Sequence, residues 1–187
     1  MNYASIKKND TANGVGVRTS LFVSGCRHHC KGCFNREAWD FDYGEPFGEA
    51  VIEQILELCA PSHIEGLSLL GGEPFEPENR RGLIELCKRF RERFPQKTIW
   101  CFSGYVFDTE LLPGNVAEPE SALQLLSLID VLVDGRFVEK MKSPALMFRG
   151  SSNQRILDVP ASLKAGEAIW LPGKWERAVG SGNIYDL

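Results

Sequence analysis

Cys26, Cys30 and Cys33 crowd into CRHHCKGC and make up half of the six cysteines in a chain of 187 residues. Thiolates hold zinc and iron–sulfur clusters. The loop around these three is polar, with Arg27, His28, His29 and Lys31 among them, so packing does not explain their presence. A structural zinc site takes four protein ligands in a closed tetrahedron. The nearest fourth ligands, His28 and His29, lie between Cys26 and Cys30, where the loop would have to fold back on itself. No second C-x-x-C pair exists elsewhere. An ordinary electron-transfer cluster takes four cysteines. Three thiolates on a four-iron cube leave one iron without a protein ligand, and a substrate can bind there. The C-x3-C-x2-C spacing therefore points to an iron–sulfur site with one position open. His28 and His29 read as exposed loop residues, or as donors of hydrogen bonds that tune cluster sulfur. Cys59, Cys87 and Cys101 fall on apolar faces and read as core.

The elements that must position this loop follow from periodicity. TSLFVSG (19–25) is an apolar run that enters the cysteine loop, a buried strand. Residues 48–60 place Val51, Ile52, Ile55, Leu56 and Cys59 on one helical face, and Pro61 stops that helix. IEGLSLLGGEP holds a second strand ending at Gly71. Pro77 opens a helix with Leu83, Ile84, Cys87, Phe90 and Phe94 in its stripe. KTIWCFSGY is a third strand, EPESALQLLSLI a helix with Pro119 near its start, and DVLVDG a fourth strand. ALMFRGSS and QRILDV read as two further short strands or a hairpin.

Strands alternating with helices predict a parallel sheet with crossover helices. The expected fold class is α/β, a partial (β/α) barrel with a mostly parallel sheet. One domain is expected over residues 1–158, with 159–187 as its extension. Such folds put their sites at the carboxyl ends of the strands. The cysteine loop, Gly71-Gly72-Glu73, Ser103 and Asp134 should therefore share one rim. Without side chains, Gly71 and Gly72 let a ligand approach the backbone closely.

Composition excludes more than it assigns. The hydrophobic fraction of 43% and charged fraction of 25% are those of an ordinary globular domain. A net charge of −4 gives no support to a nucleic-acid partner. The cations between Arg80 and Arg93 interleave with Glu85 and Glu92 as on a solvated helix face. No apolar run approaches the roughly 20 residues of a membrane span, so no membrane association is expected. MNYASIKKND has no apolar core of a signal peptide, and the expected compartment is the cytoplasm, where thiols stay reduced.

The C-x3-C-x2-C spacing resembles the signature of the radical S-adenosylmethionine enzymes. The ordered set NGVGVRTSLFVSGCRHHCKGCFN, LLGGEP, WCFSGY, DVLVDGRF and FRGSSNQRI is more specific. It resembles the activating proteins of the anaerobic (class III) ribonucleoside-triphosphate reductase, from Met1 to Asp158. Gly32 stands where many superfamily members carry an aromatic, and Phe34 follows the third cysteine, as in the reductase activators. Val15 stands where relatives usually have proline.

The resemblance implies a barrel of the radical S-adenosylmethionine type. It implies one 4Fe–4S cluster per chain on Cys26, Cys30 and Cys33, with S-adenosylmethionine chelating the open iron. Reductive cleavage would give methionine and a 5′-deoxyadenosyl radical, which takes a hydrogen atom from a glycine of the reductase. In similar enzymes the turn Gly71, Gly72 and Glu73 receives the methionine amino group, with Glu73 accepting from the ammonium. Gly32, Cys33 and Phe34 resemble the segment that lines the adenine, although Phe34 also suits a core. Ser103 and Asp134 would bind ribose hydroxyls or the surroundings of the methionine carboxylate, or simply form their turns. Arg149 would pair with that carboxylate or with a protein acid. Hydrogen-atom transfer needs no acid–base pair, and no catalytic side chain is assigned. Implied partners are the reductase and a low-potential electron donor such as flavodoxin. The alternatives are an activase of another glycyl radical enzyme, or a non-catalytic iron–sulfur or zinc module.

Overall fold

The computed structural model describes residues 1–173, so the last 14 positions of the expected extension lie outside the described residues. Seven strands form one sheet: β1 (Asn2–Asp10), β2 (Val17–Val23), β3 (Glu45–Pro46), β4 (Ile64–Gly71), β5 (Thr98–Phe102), β6 (Val131–Asp134) and β7 (Arg155–Asp158). Their order is β3-β1-β2-β4-β5-β6-β7. The helices are α1 (Glu49–Cys59), α2 (Pro77–Arg93), α3 (Pro119–Ser127) and α4 (Val159–Ala165).

The expected partial barrel with a mostly parallel sheet is overturned. Only β2–β4, β4–β5 and β5–β6 pair parallel, while β1–β2, β1–β3 and β6–β7 are antiparallel. The sheet is open and mixed, with antiparallel strands at both edges. The parallel centre is the part that the alternation of strands and helices captures. The edges escape it because antiparallel neighbours need no crossover helix. β1 reads NYASIKKND, polar and largely solvent-facing, and offers no apolar run to find. ALMFRGSS is not a strand. One bridge, Lys142 to Ser151, is all the ladder it makes, and Phe148 turns to a φ of 55°.

Alternation along the strands sorts side chains onto two faces. Leu21, Leu67, Leu69, Ile99, Cys101 and Leu132 meet α1, α2 and α3 in the main core, as do Cys59 and Cys87. α4 adds Val159 and Leu163 to that core. Asp158 caps it by accepting from the Ala161 N–H at 2.9 Å, and Gly166 ends it at a φ of 74°. On the opposite face Trp100, Val131, Val133 and Ile156 form a smaller cluster with Phe102 and Phe148. Loops rather than helices cover that face, which leaves room above the sheet.

The strand-start end is tied by Arg18, which is 1% exposed. Its guanidinium donates to Ser68 Oγ, Thr98 Oγ1 and the carbonyls of Val15, Leu67 and Thr98. Arg18 thus holds the 11–16 turn from the end away from the cysteine loop. Burial lowers its pKa to about 10, still charged at neutral pH. Among the described residues no helix is long and apolar enough to cross a membrane.

Candidate functional site

The cysteine loop leaves the end of β2, and two other chain segments grip its start. Gly25 N–H donates to Ala38 O (2.9 Å) and Cys26 N–H to Trp39 O (3.1 Å). From the turn after β4, Gly72 N–H donates to Val23 O (2.7 Å) and Glu73 N–H to Gly25 O (2.8 Å). Gly71 has a φ of 113°, and a Cβ on Gly72 would lie 2.5 Å from Gly25 O and 2.8 Å from Ala38 O. The double glycine therefore serves a close approach of backbone to backbone, as well as opening the turn to the cavity.

The stretch between Cys26 and Cys30 is anchored by three carboxylates of GGEPFEPE. Glu76 accepts from the Arg27 N–H (2.8 Å) and its guanidinium (2.6 Å), and Glu78 takes the guanidinium's other edge. Glu73, 1% exposed, accepts from Phe75 N–H (2.9 Å) and Ser103 Oγ (2.8 Å) on one oxygen. Its other oxygen takes Gly104 N–H (2.7 Å) and His28 Nε2 (3.1 Å). A carboxylate only accepts, so His28 carries its proton on Nε2. The His28 ring fills a slot, edge-on to Tyr105 at 4.5 Å and flush against Gly104, where a Cβ would come within 2.3 Å of it. Its side chain is 7% exposed, so the sequence expectation of a solvent-facing His28 is corrected. His29 is exposed and lies against Trp39 at 4.6 Å.

Cys26, Cys30 and Cys33 line a cavity of about 410 Å³ at the carboxyl ends of the parallel strands. Gly32, Phe34, Gly71, Gly72, Ser103 and Arg149 line it too. Its floor and walls are apolar, with Leu70, Phe102 and Phe137. Phe34 is 87% exposed, at the mouth and not in a core. Glu73 and Asp134 stand behind the wall. Asp134 accepts from Arg155 Nε (3.0 Å) and Nη2 (2.5 Å) and from Phe107 N–H (2.8 Å), holding β6, β7 and the turn after β5 together. Arg149 donates to Gln154 O at 2.9 Å and lies 5.8 Å from the Trp170 ring. Burial lowers its pKa.

The three thiols are a donor set of the kind that holds a metal centre. Burial pushes Cys26 up to about 12, with the Glu73 charge adding to the rise, while the backbone N–H groups of His28 and His29 favour its thiolate. Burial also raises Cys30, against a backbone N–H from Phe137. Only bound cations would make such thiols ionise together at neutral pH. Backbone N–H groups that favour the charged form of sulfur are what thiolates on iron need. Among the described residues no three His, Cys, Asp or Glu side chains converge closely enough for a single metal ion. Three cysteines of one loop lining a single cavity are a donor set that fits a cluster with one position open.

Sequence reasoning did not single out Lys142 and Gln154 as wall residues. Gln154 is in FRGSSNQR, where its Oε1 accepts from Gly150 and Ser151 N–H and its Nε2 donates to Gly135 O. Lys142 sits in a polar segment with no pattern to mark it.

A family model for a 4Fe-4S single cluster domain matches residues 12–157. The chain is 44% identical over 156 residues to the anaerobic ribonucleoside-triphosphate reductase-activating protein of Escherichia coli (strain K12), covering 82% of this chain and 96% of that protein. Identity to the protein of the same name from Pasteurella multocida (strain Pm70) is 40% over 158 residues, 83% of this chain and 96% of that one. For the one from Enterobacteria phage T4 it is 37% over 156 residues, 83% and 93%.

Proposed function

The chain belongs to the family of anaerobic ribonucleoside-triphosphate reductase-activating proteins, and we propose that its three-cysteine cavity is where it does that family's work. It is an activase of the anaerobic reductase that carries a 4Fe–4S cluster. In our reading Cys26, Cys30 and Cys33 would hold the cluster and leave a position for S-adenosylmethionine. When bound, that pair would supply reductive cleavage of the sulfonium's C5′–S bond and, through it, removal of a hydrogen atom from a reductase glycine.

The chain's own residues bind, orient and exclude water. Gly71 and Gly72 leave a wall without side chains against which the methionine part can lie. The charged side chains that line the cavity, Lys142 and Arg149, are both cations, which suits a carboxylate. Glu73 has its acceptor positions taken by protein donors, so in this reading it orients the wall while turn backbone and the iron meet the amino group. Leu70, Phe102 and Phe137 keep the interior dry, so a reactive radical meets little but its target. The volume lies in the roughly 300–1,000 Å³ range of small-molecule sites. The electron would come from a low-potential donor such as flavodoxin, and the setting would be the cytoplasm.

The observation that carries this reading is the convergence of three cysteines, two bare glycines and two cations on one cavity. The test is anaerobic reconstitution with iron and sulfide, reduction, and EPR with and without S-adenosylmethionine. A cluster signal whose shape changes with S-adenosylmethionine, and which Cys30→Ala abolishes, is the expected result. Uptake of zinc alone, or a cluster indifferent to S-adenosylmethionine, would overturn it.

A further inference from the structure

Large apolar side chains are seldom left exposed in a group on a soluble surface unless something binds there. Among the described residues, four of those most open to solvent lie on the two loops beside the cavity: Phe34 (87%), which lines it, and Met147 (47%), Met141 (41%) and Val138 (38%), each next in the chain to a residue that does. They alternate with residues that line the cavity itself. Val138 follows Phe137, Met141 precedes Lys142, and Met147 follows Leu146. The two loops that carry them touch. Lys31 pairs with Glu139 at 3.7 Å, and a Cβ on Gly32 would meet the Glu139 carboxylate at 2.9 Å. The collar is also cationic in a chain of net charge −4. Residues 136–150 hold Arg136, Lys140, Lys142 and Arg149 against Glu139, with Arg136 paired to Glu110 and Lys31 to Glu139.

We propose that this collar, formed by Phe34, Val138, Met141 and Met147 with Lys31 and Lys140 outside them, is the surface that receives the glycine-bearing segment of the reductase. The occupant is an extended protein loop with apolar side chains on either side of its glycine and carboxylates farther out. A glycine Cα that reaches the cavity passes the loops that line it, and the cations of residues 136–150 favour an occupant that carries carboxylates. Flexible methionines suit a surface that must grip a loop and then let it go. The inference rests on the activase reading, but it concerns docking and not cleavage of S-adenosylmethionine.

The test uses the reconstituted full chain and the intact reductase. The variant is Val138→Ser with Met141→Ser and Met147→Ser; Leu123→Ser, a change on exposed α3, is the control. Cleavage of S-adenosylmethionine by the reduced protein alone should be unchanged in both. In the triple variant the dissociation constant for the reductase should rise at least tenfold, and glycyl radical yield should recover at higher reductase concentration. Lys140→Glu should slow association and flatten its dependence on salt. A triple variant with wild-type affinity and yield would overturn the proposal. So would a collar that proves to hold a second copy of this chain, seen as a dimer that the variant splits while reductase binding stays intact. A wild-type protein that makes no glycyl radical would instead overturn the activase reading.

Discussion

The buried carboxylate of Glu73 joins three loops that the sequence leaves far apart. Its partners His28 and Ser103 are 45 and 30 positions away. Such bonds are invisible to spacing rules, so Glu73 reads from sequence as a ligand group, although its oxygens turn inward. The grouping of the cysteines was legible because one loop supplies all three, and the structure brings them to one cavity. Replacing His28 by alanine empties the slot beside Tyr105 and strips one donor from a buried acceptor, a loss of about 1–3 kcal/mol. Chemical denaturation of His28→Ala should show that loss. The loaded variant should retain its iron yet need more S-adenosylmethionine to change its EPR signal, and His28→Gln, which keeps a donor, should recover part of the response. Unchanged stability and an unchanged titration in His28→Ala would contradict the interlock. At the double glycine the limit is steric. Gly72→Ala would push a methyl into the carbonyls of Gly25 and Ala38. Overpacking of this kind costs roughly 1–3 kcal/mol, and lower iron uptake with a lowered melting temperature is the expected measurement.

Among the elements, the central strands were readable because burial on both faces makes them continuous apolar runs. β1 was not, since one edge and much of its length face solvent. Its end is nevertheless fixed by chemistry. Asp10 is fully buried and accepts from Ser20 Oγ (2.6 Å), Ala12 N–H (3.0 Å) and Asn13 Nδ2, with Lys7 at 3.0 Å. Burial raises its pKa, and these bonds outweigh that, lowering it to about 2. A folded value below the unfolded one gives stability that is present above the unfolded value of about 3.8 and lost as pH falls through about 2. Urea denaturation across that window should show the wild type losing about 2 kcal/mol more than Asp10→Asn. Parallel loss in both proteins would remove Asp10 from the explanation. α4 is an element that local signals do mark, with Asp158 and Pro160 at its start and Gly166 after its end. Its brevity hid it.

For the whole molecule, the site's location was easier to read than the architecture that bears it. The rule that parallel strands present their carboxyl ends to ligands needs only the central four strands, and those are parallel. Barrel curvature, by contrast, depends on the edges, where polar β1, two-residue β3 and short β7 turn the pairing antiparallel. The result places α1, α2, α3 and α4 on one face and a loop-covered cavity on the other. That asymmetry leaves the cavity mouth open at the collar, as a protein substrate requires. The most direct test of the central claim is EPR of the intact reductase after anaerobic mixing with reduced, cluster-loaded protein and S-adenosylmethionine. A glycyl radical that appears with wild-type protein, and is absent with Cys30→Ala or without S-adenosylmethionine, is the expected result. A reductase that stays radical-free with fully loaded wild-type protein, or one that gains its radical equally from Cys30→Ala, would contradict it.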